Sequence, residues 1–258
     1  MRREVWQNGG MVGAHEGDGP MASMDQGSTV DGEHGGSVSV WPREISAVNG
    51  TARVAVGGVA KRAIDIVLAG VILLMLSPLF LFTAGAIRLS GAGPALYGHQ
   101  RVGLGGREFH CWKFRTMHVE GDRILRAHLA QSAEARAEWT ENRKLRNDPR
   151  VTPLGRVLRE YSVDELPQLL NVLRGEMSLV GPRPVVEAEL ARYGVAAAHY
   201  LAARPGITGL WQVSGRSDTG YAERVALDVR YVMRWSFVGD ILILLRTLPA
   251  VLGAKGSY

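Results

Sequence analysis

Two adjacent carboxylates, Asp164 and Glu165, follow Arg159 closely, and a second arginine, Arg183, sits between Pro182 and Pro184. A carboxylate can attack an electrophilic phosphorus and hold the transferred group as an acyl phosphate, dividing one difficult transfer into two easier ones. Phosphate oxygens repel that attack, so the chemistry calls for cations. Mg2+ held by one neighbouring Glu would suffice, helped by fixed basic side chains. Lys113, Arg115, Arg159 and Arg183 are the candidates. Prolines restrict the backbone on both sides of Arg183, so its guanidinium loses less entropy on gripping an oxyanion. A helix opening near Asp164 would keep the carboxylate ionised and favour phosphate beside it.

Spacing alone allows a plainer role. Ser162-x-x-Glu165 matches a capping box, and Pro167 suits a first helical turn. An arginine in a turn is often only solvated. Other chemistries find less support. Cys111 and the seven histidines show no zinc-ligand spacing, and Cys111 and His110 would point to opposite faces of a strand. Gly103-x-Gly105-Gly106 lacks the strand-to-helix context of a dinucleotide site and reads as a turn.

The elements that must position these residues begin with an apolar run. Residues 66–87 are 22 uncharged positions, enough at about 1.5 Å per residue to cross a hydrocarbon core of roughly 30 Å. Ser77-Pro78 interrupts the run, and a proline there predicts a sharp bend. Basic residues flank both ends, Lys61 and Arg62 before, Arg88 and Arg101 after, so the positive-inside rule gives no orientation. A helix that enters, turns and leaves on the same side satisfies both observations; a kinked single span is the alternative. Beyond it, residues 95–102 and 107–116 read as a hairpin, with Lys113 and Arg115 on one face and Trp112 and Phe114 on the other. A polar helix is expected over 122–145, interrupted by Asn147-Asp148-Pro149 and Thr152-Pro153. Helices resume near Leu154 and Asp164, and another follows Thr219. Residues 235–248 mix aromatic, basic and aliphatic side chains as an interfacial helix does.

Composition sets the outer bounds. Residues 1–60 hold four basic and seven acidic side chains, a net of −3, which leaves +8 on the part carrying the apolar run. That excess suits an anionic leaflet and, beside so long an apolar run, argues against nucleic acid as partner. Twelve of the 32 glycines also fall in residues 1–60, and the region is expected to be a disordered tail. No apolar stretch follows Met1, so no cleaved signal peptide is expected, and Met11, Met21 and Met24 leave the start codon open. One cysteine allows no internal disulfide and fits a reducing cytoplasm.

Together these motifs resemble the bacterial sugar transferases, monotopic polyprenyl-phosphate phosphoglycosyl transferases. The resemblance covers residues 61–258. It rests on Lys61-Arg62-x-x-Asp65, Ser77-Pro78, Gln100-Arg101-x-Gly103, Lys113-Phe114-Arg115-Thr116-Met117, Asn147-Asp148-Pro149-Arg150-Val151-Thr152 and Leu158-Arg159. It continues through Asp164-Glu165-Leu166-Pro167-Gln168, Met177-Ser178-Leu179-Val180-Gly181-Pro182-Arg183-Pro184, Arg204-Pro205-Gly206-x-Thr208-Gly209 and Trp211-Gln212-Val213.

The resemblance implies that Asp164 attacks the β-phosphate of a UDP-sugar, expels UMP and carries the sugar phosphate until a polyprenyl phosphate takes it. It implies that Glu165 helps to place Mg2+, and that Lys113, Arg115, Arg159, Arg183, Arg204 and Gln212 bind substrate. It implies a re-entrant helix broken at Ser77 and Pro78, in the short form of the family, on the cytoplasmic face of a bacterial inner membrane. The insert at 122–146 and the Ala250-Val251-Leu252-Gly253 ending resemble members that start exopolysaccharide with galactose or glucose phosphate. An N-acetylamino-sugar transferase for another surface glycan and a non-catalytic membrane scaffold stand as alternatives, and a homo-oligomer is allowed. The expected architecture is α+β and mainly helical, with a tail (1–60), a re-entrant helix-break-helix (61–91) and a catalytic domain (92–258). That domain would hold a small β-hairpin and interfacial amphipathic helices.

Overall fold

A computed structural model describes residues 55–142, 144–214 and 220–252, all within one compact unit. The expected tail falls outside the described residues except for its last six. The apolar run forms two helices, α1 (Gly58–Met75) and α2 (Ser77–Leu89), bent by 63° where they meet. The bend has a local cause. Pro78 has no N–H to offer the Leu74 carbonyl four residues back, and the Ser77 hydroxyl donates to that carbonyl at 2.8 Å. Among the described residues no single helix is long and apolar enough to cross a membrane; only the bent pair reaches that length and composition. Its outer surface is apolar, with Val67, Val71, Leu74, Met75, Leu81 and Phe82 exposed.

The base of α1 is pinned by its charged residues. Lys61 pairs with Asp240 at 2.6 Å, and Asp65 accepts from the Ser178 hydroxyl at 2.7 Å and the Leu179 N–H at 3.2 Å. Asp240 also accepts from the Tyr231 hydroxyl and the Trp235 indole N–H. Removing one member of such a buried network would strand the others.

Next come β1 (Leu96–Val102) and β2 (Glu108–Phe114), antiparallel and in register from Leu96↔Phe114 to Val102↔Glu108, close to the expected hairpin. The turn between them uses Gly105 and Gly106 at φ 65° and 81°, the left-handed region that glycine enters at no steric cost. The expected polar helix is two helices, α3 (Gly121–Gln131) and α4 (Ala133–Asn142). They part at Ser132, whose extended backbone lets its hydroxyl accept from the Ala135 N–H.

Then follow α5 (Pro153–Glu160), capped by the Thr152 hydroxyl, and α6 (Gln168–Arg174). Next are β3 (Ser178–Val180), α7 (Glu187–Leu190), α8 (Ala197–Leu201) and β4 (Gly206–Thr208). β3 and β4 pair in parallel, a second small sheet too short to show a period in the sequence. A Cβ on Gly181 would lie 2.3 Å from the Arg204 carbonyl, so only glycine lets these strands' flanks meet. The described chain closes with α9 (Leu210–Ser214), α10 (Tyr221–Met233) and α11 (Phe237–Leu252). One side of α11 leaves Phe237, Val238, Ile241, Leu242, Leu245 and Leu248 exposed, while Asp240 and Ile243 face inward.

Helix α6 is the pivot. Leu169 and Val172 pack on Phe109, Cys111, Met177 and Tyr231. The wholly buried Asn171 stands where a third strand would: its amide donates to the His110 carbonyl at 2.7 Å and accepts from the Trp112 N–H at 3.0 Å. The open edge of β2 is thereby satisfied by a side chain. A separate cluster of Ile87, Phe114 and Leu158 includes Val163 and Leu166, which joins the end of α2 to the neighbours of Asp164.

Candidate active site

Asp164 and Glu165 lie in a single 3-10 turn, Val163–Glu165, between α5 and α6. Ser162 enters that turn at φ 54°, alone among the described non-glycine residues in having a left-handed backbone, a conformation that costs on the order of 1–3 kcal/mol. The capping-box alternative does not form. An N-cap needs extended backbone; Ser162 lacks it and makes no side-chain cap bond. Glu165 turns instead to Lys113 of β2, whose ammonium donates to it at 2.5 Å.

Asp164 exposes 8% of its surface and joins no ion pair among the described residues. Burial pushes its carboxyl up to about 6; Lys113 and Arg159 pull it down, and the Glu165 charge pushes it further up. Near neutral pH it is a desolvated carboxylate outside any ion pair among the described residues, a suitable state for a nucleophile.

Arg159 comes from the last turn of α5, and its Nε donates to the Thr116 hydroxyl at 2.9 Å. Backbone approach sets this contact. A Cβ on Gly155 would lie 2.0 Å from the Thr116 carbonyl, which also accepts from the Thr152 N–H at 3.0 Å. Thr116 was not singled out in the sequence beyond its place in a motif, yet it aims Arg159. Arg183 lies over the Trp211 ring, its guanidinium carbon 5.6 Å from the centroid. The Cys111 thiol is pushed up to about 11 by burial, and the charges it senses are Lys113, Glu165, Arg101 and Arg183. His110, on the other face, stacks at 6.0 Å on Trp112.

The remaining expected substrate residues go elsewhere. Arg115 donates to the carbonyls of Ala92 at 2.5 Å, Gly91 at 3.2 Å and Ile87 at 3.3 Å, binding the end of α2 to the hairpin. Arg204 donates to the Gly175 carbonyl at 2.9 Å, while Arg62 takes the Val172 and Leu173 carbonyls, so two arginines cover the C-terminal end of α6. Gln212 donates to the Ile207 carbonyl at 3.0 Å. None of the three forms a hydrogen bond or ion pair with Asp164 or Glu165.

No three His, Cys, Asp or Glu side chains converge among the described residues. The oxygens available are those of Asp164 and Glu165, and Glu165 keeps 37% of its side chain exposed. This suits Mg2+, which retains several waters and takes one or two carboxylates plus substrate phosphates.

A buried aspartate flanked by a Lys–Glu pair and an anchored arginine has the parts needed for transfer of a phosphoryl-linked group. The chain belongs to the bacterial sugar transferase family, whose model matches residues 56–254. It is 52% identical over 217 residues to the exopolysaccharide production protein ExoY of Rhizobium meliloti, covering 84% of this chain and 94% of that one. It is 51% identical over 198 residues to the undecaprenyl-phosphate galactose phosphotransferase of Salmonella typhimurium, covering 77% of this chain and 41% of that one. Against the UDP-glucose:undecaprenyl-phosphate glucose-1-phosphate transferase of Caulobacter vibrioides the identity is 44% over 206 residues, 77% and 72% of the two chains.

Proposed function

We propose that the chain transfers a hexose 1-phosphate, galactose or glucose, from a UDP-sugar to undecaprenyl phosphate, the first membrane step of exopolysaccharide synthesis. The observation that carries the reading is the buried, unpaired Asp164 beside the Glu165–Lys113 pair. It is supported by relatives whose names specify galactose or glucose and undecaprenyl phosphate.

An Asp164 oxygen attacks the β-phosphorus, and the bond from that phosphorus to the bridging oxygen breaks. UMP leaves with the electron pair, and the sugar phosphate stays on Asp164 as an acyl phosphate. A phosphate oxygen of the lipid then attacks the same phosphorus and frees the aspartate. Lys113 and Arg159 neutralise oxygens on the transferred phosphoryl group. Glu165, with Asp164, would hold Mg2+, which when bound offsets the charge of the substrate phosphates. Thr116→Val removes the hydroxyl that orients Arg159 and is expected to lower kcat/KM by about tenfold or more, with Thr116→Ser close to wild type. Steady-state UMP release measures this.

The membrane part of the reading assigns residues 61–91 to a re-entrant helix-break-helix and 92–258 to the catalytic domain on the cytoplasmic face of the inner membrane. Both ends of the bent pair are held by the same body: Lys61, Arg62 and Asp65 at the start, the carbonyls of Ile87, Gly91 and Ala92 at the finish. Anchoring of both ends of the apolar excursion on one body supports a re-entrant course over a span. The exposed apolar sides of the pair and of α11 supply the lipid contact.

The experiment is UMP release by the membrane-bound chain with undecaprenyl phosphate and a panel of UDP-sugars. UDP-galactose or UDP-glucose is expected to be turned over fastest. Faster release from UDP-N-acetyl sugars would overturn the donor assignment, and release from none would overturn the transferase.

A further inference from the structure

We infer that Tyr97 and His99 of β1 form the surface that receives the transferred hexose, with the Tyr97 ring lying against the sugar. The inference rests on the transferase reading and adds to it the residues that meet the sugar.

Strand register sets the geometry. The Trp112 N–H and the His110 carbonyl turn outward to Asn171, so the alternate residues Lys113 and Cys111 bond inward to β1. Their partners there are Tyr97 and His99. Directly paired side chains share one face of a sheet, with Cβ atoms about 5 Å apart. Tyr97 therefore stands beside Lys113, whose ammonium is bonded at 2.5 Å to Glu165, the neighbour of Asp164 in the 3-10 turn.

The two halves of this face are covered differently. Over β2, Phe109 and Cys111 are buried in the core with Leu169 and Val172 of α6. The half over β1 stays open: Tyr97 exposes 56% of its surface and His99 is half-buried. The Tyr97 ring is nonetheless held, packed edge-to-face with the His99 imidazole at 6.2 Å between centroids and 62° between planes. A fixed aromatic face on the rim of a charged centre suits a ligand with an apolar face and a polar edge.

The donor's own connectivity decides which part of it lies there. Lys113 attends the phosphorus that Asp164 attacks. The hexose hangs from that phosphorus through a single oxygen, whereas the uracil is set off by a second phosphate and a ribose. The part of the donor within reach of Tyr97 is therefore the sugar. A pyranose carries C–H bonds on its faces and hydroxyls around its edge, so its face packs on the tyrosine ring and a hydroxyl turns to His99. His99 Nδ1 meets the Gln100 carbonyl at 3.1 Å; a carbonyl only accepts, so Nδ1 carries the proton and Nε2 is left as an acceptor. Burial, and then the Arg101 charge, push the imidazole below its ordinary range, which keeps it neutral near pH 7 and preserves that acceptor.

The test uses the full chain in lipid nanodiscs, with UDP and UDP-hexoses as probes in equilibrium binding and both substrates in kinetics. Tyr97→Ala and Tyr97→Leu are each expected to lower kcat/KM for UDP-galactose and UDP-glucose by about tenfold. Affinity for UDP, which lacks the sugar, and the undecaprenyl phosphate KM should stay within about twofold of wild type. Tyr97→Phe keeps the ring and is expected to lose no more than about threefold. Leucine serves as well as tyrosine against lipid but offers no flat ring to a sugar, so wild-type kcat/KM in Tyr97→Leu would overturn the inference. A UDP affinity that falls as far as that for the UDP-hexoses, or an acceptor KM that rises as far as the donor KM, would also overturn it. UDP-hexoses that bind more tightly than UDP, through Tyr97, in a chain that releases no UMP from any donor would sink the transferase reading and leave the sugar contact standing. Neither turnover nor that difference in binding would overturn both.

Discussion

Asp164→Asn should reduce UMP release by roughly four orders of magnitude or more, the scale expected when a covalent nucleophile is removed. Asparagine keeps the shape of the side chain and its place in the 3-10 turn. Folding should not suffer. Burial raises the aspartate's pKa from the ordinary 3.8 to about 6, so ionising it in the folded chain costs stability as pH rises through that window. The amide escapes this cost, and the variant should melt at or above the wild-type temperature at pH 7.5. Lost activity with an undiminished melting temperature separates chemistry from folding. Retention of near-normal UMP release would mean that phosphorus is attacked directly by the acceptor.

The second large effect concerns topology. With the pair re-entrant, a cysteine placed at Ser46 in a Cys111→Ser background should resist impermeant thiol reagents in intact spheroplasts and react fully after lysis. A kinked span would instead put residues before α1 outside, and Lys61 and Arg62 would be exported against the usual charge bias. Lys61 would then also part from Asp240, to which it is bonded at 2.6 Å. Labelling before lysis would therefore contradict the shared anchoring of both helix ends.

The break at Ser77-Pro78, the hairpin and most helices were legible because each has a local cause: a missing donor, a period of two, a cap. Even the partner for the orphaned Leu74 carbonyl could be read from the adjacent serine. The Asp-Glu pair was visible as chemistry, though its capping alternative could be dismissed only when Ser162 proved left-handed. What stayed hidden depends on distant residues. Nothing near Asn171 announces that it closes the edge of a strand some 60 residues away, and nothing near Asp65 announces Ser178. Arginines were the hardest to sort. Arg159, Arg115 and Arg204 look alike in the chain, yet one meets a hydroxyl beside the carboxylates and two are taken up by backbone carbonyls at helix ends. Thr116 was present in a recognisable motif without any local sign that it would meet Arg159.

The claim on which the rest depends is that the sugar phosphate rests on Asp164 between two transfers. Wild-type chain incubated with UDP-galactose or UDP-glucose and Mg2+, without undecaprenyl phosphate, and quenched rapidly should gain the mass of one hexose phosphate. Peptide mapping should place that mass on Asp164, and added undecaprenyl phosphate should discharge it before the quench. UMP released in full turnover from a chain that never carries the added mass, or carries it on another residue, would contradict the account.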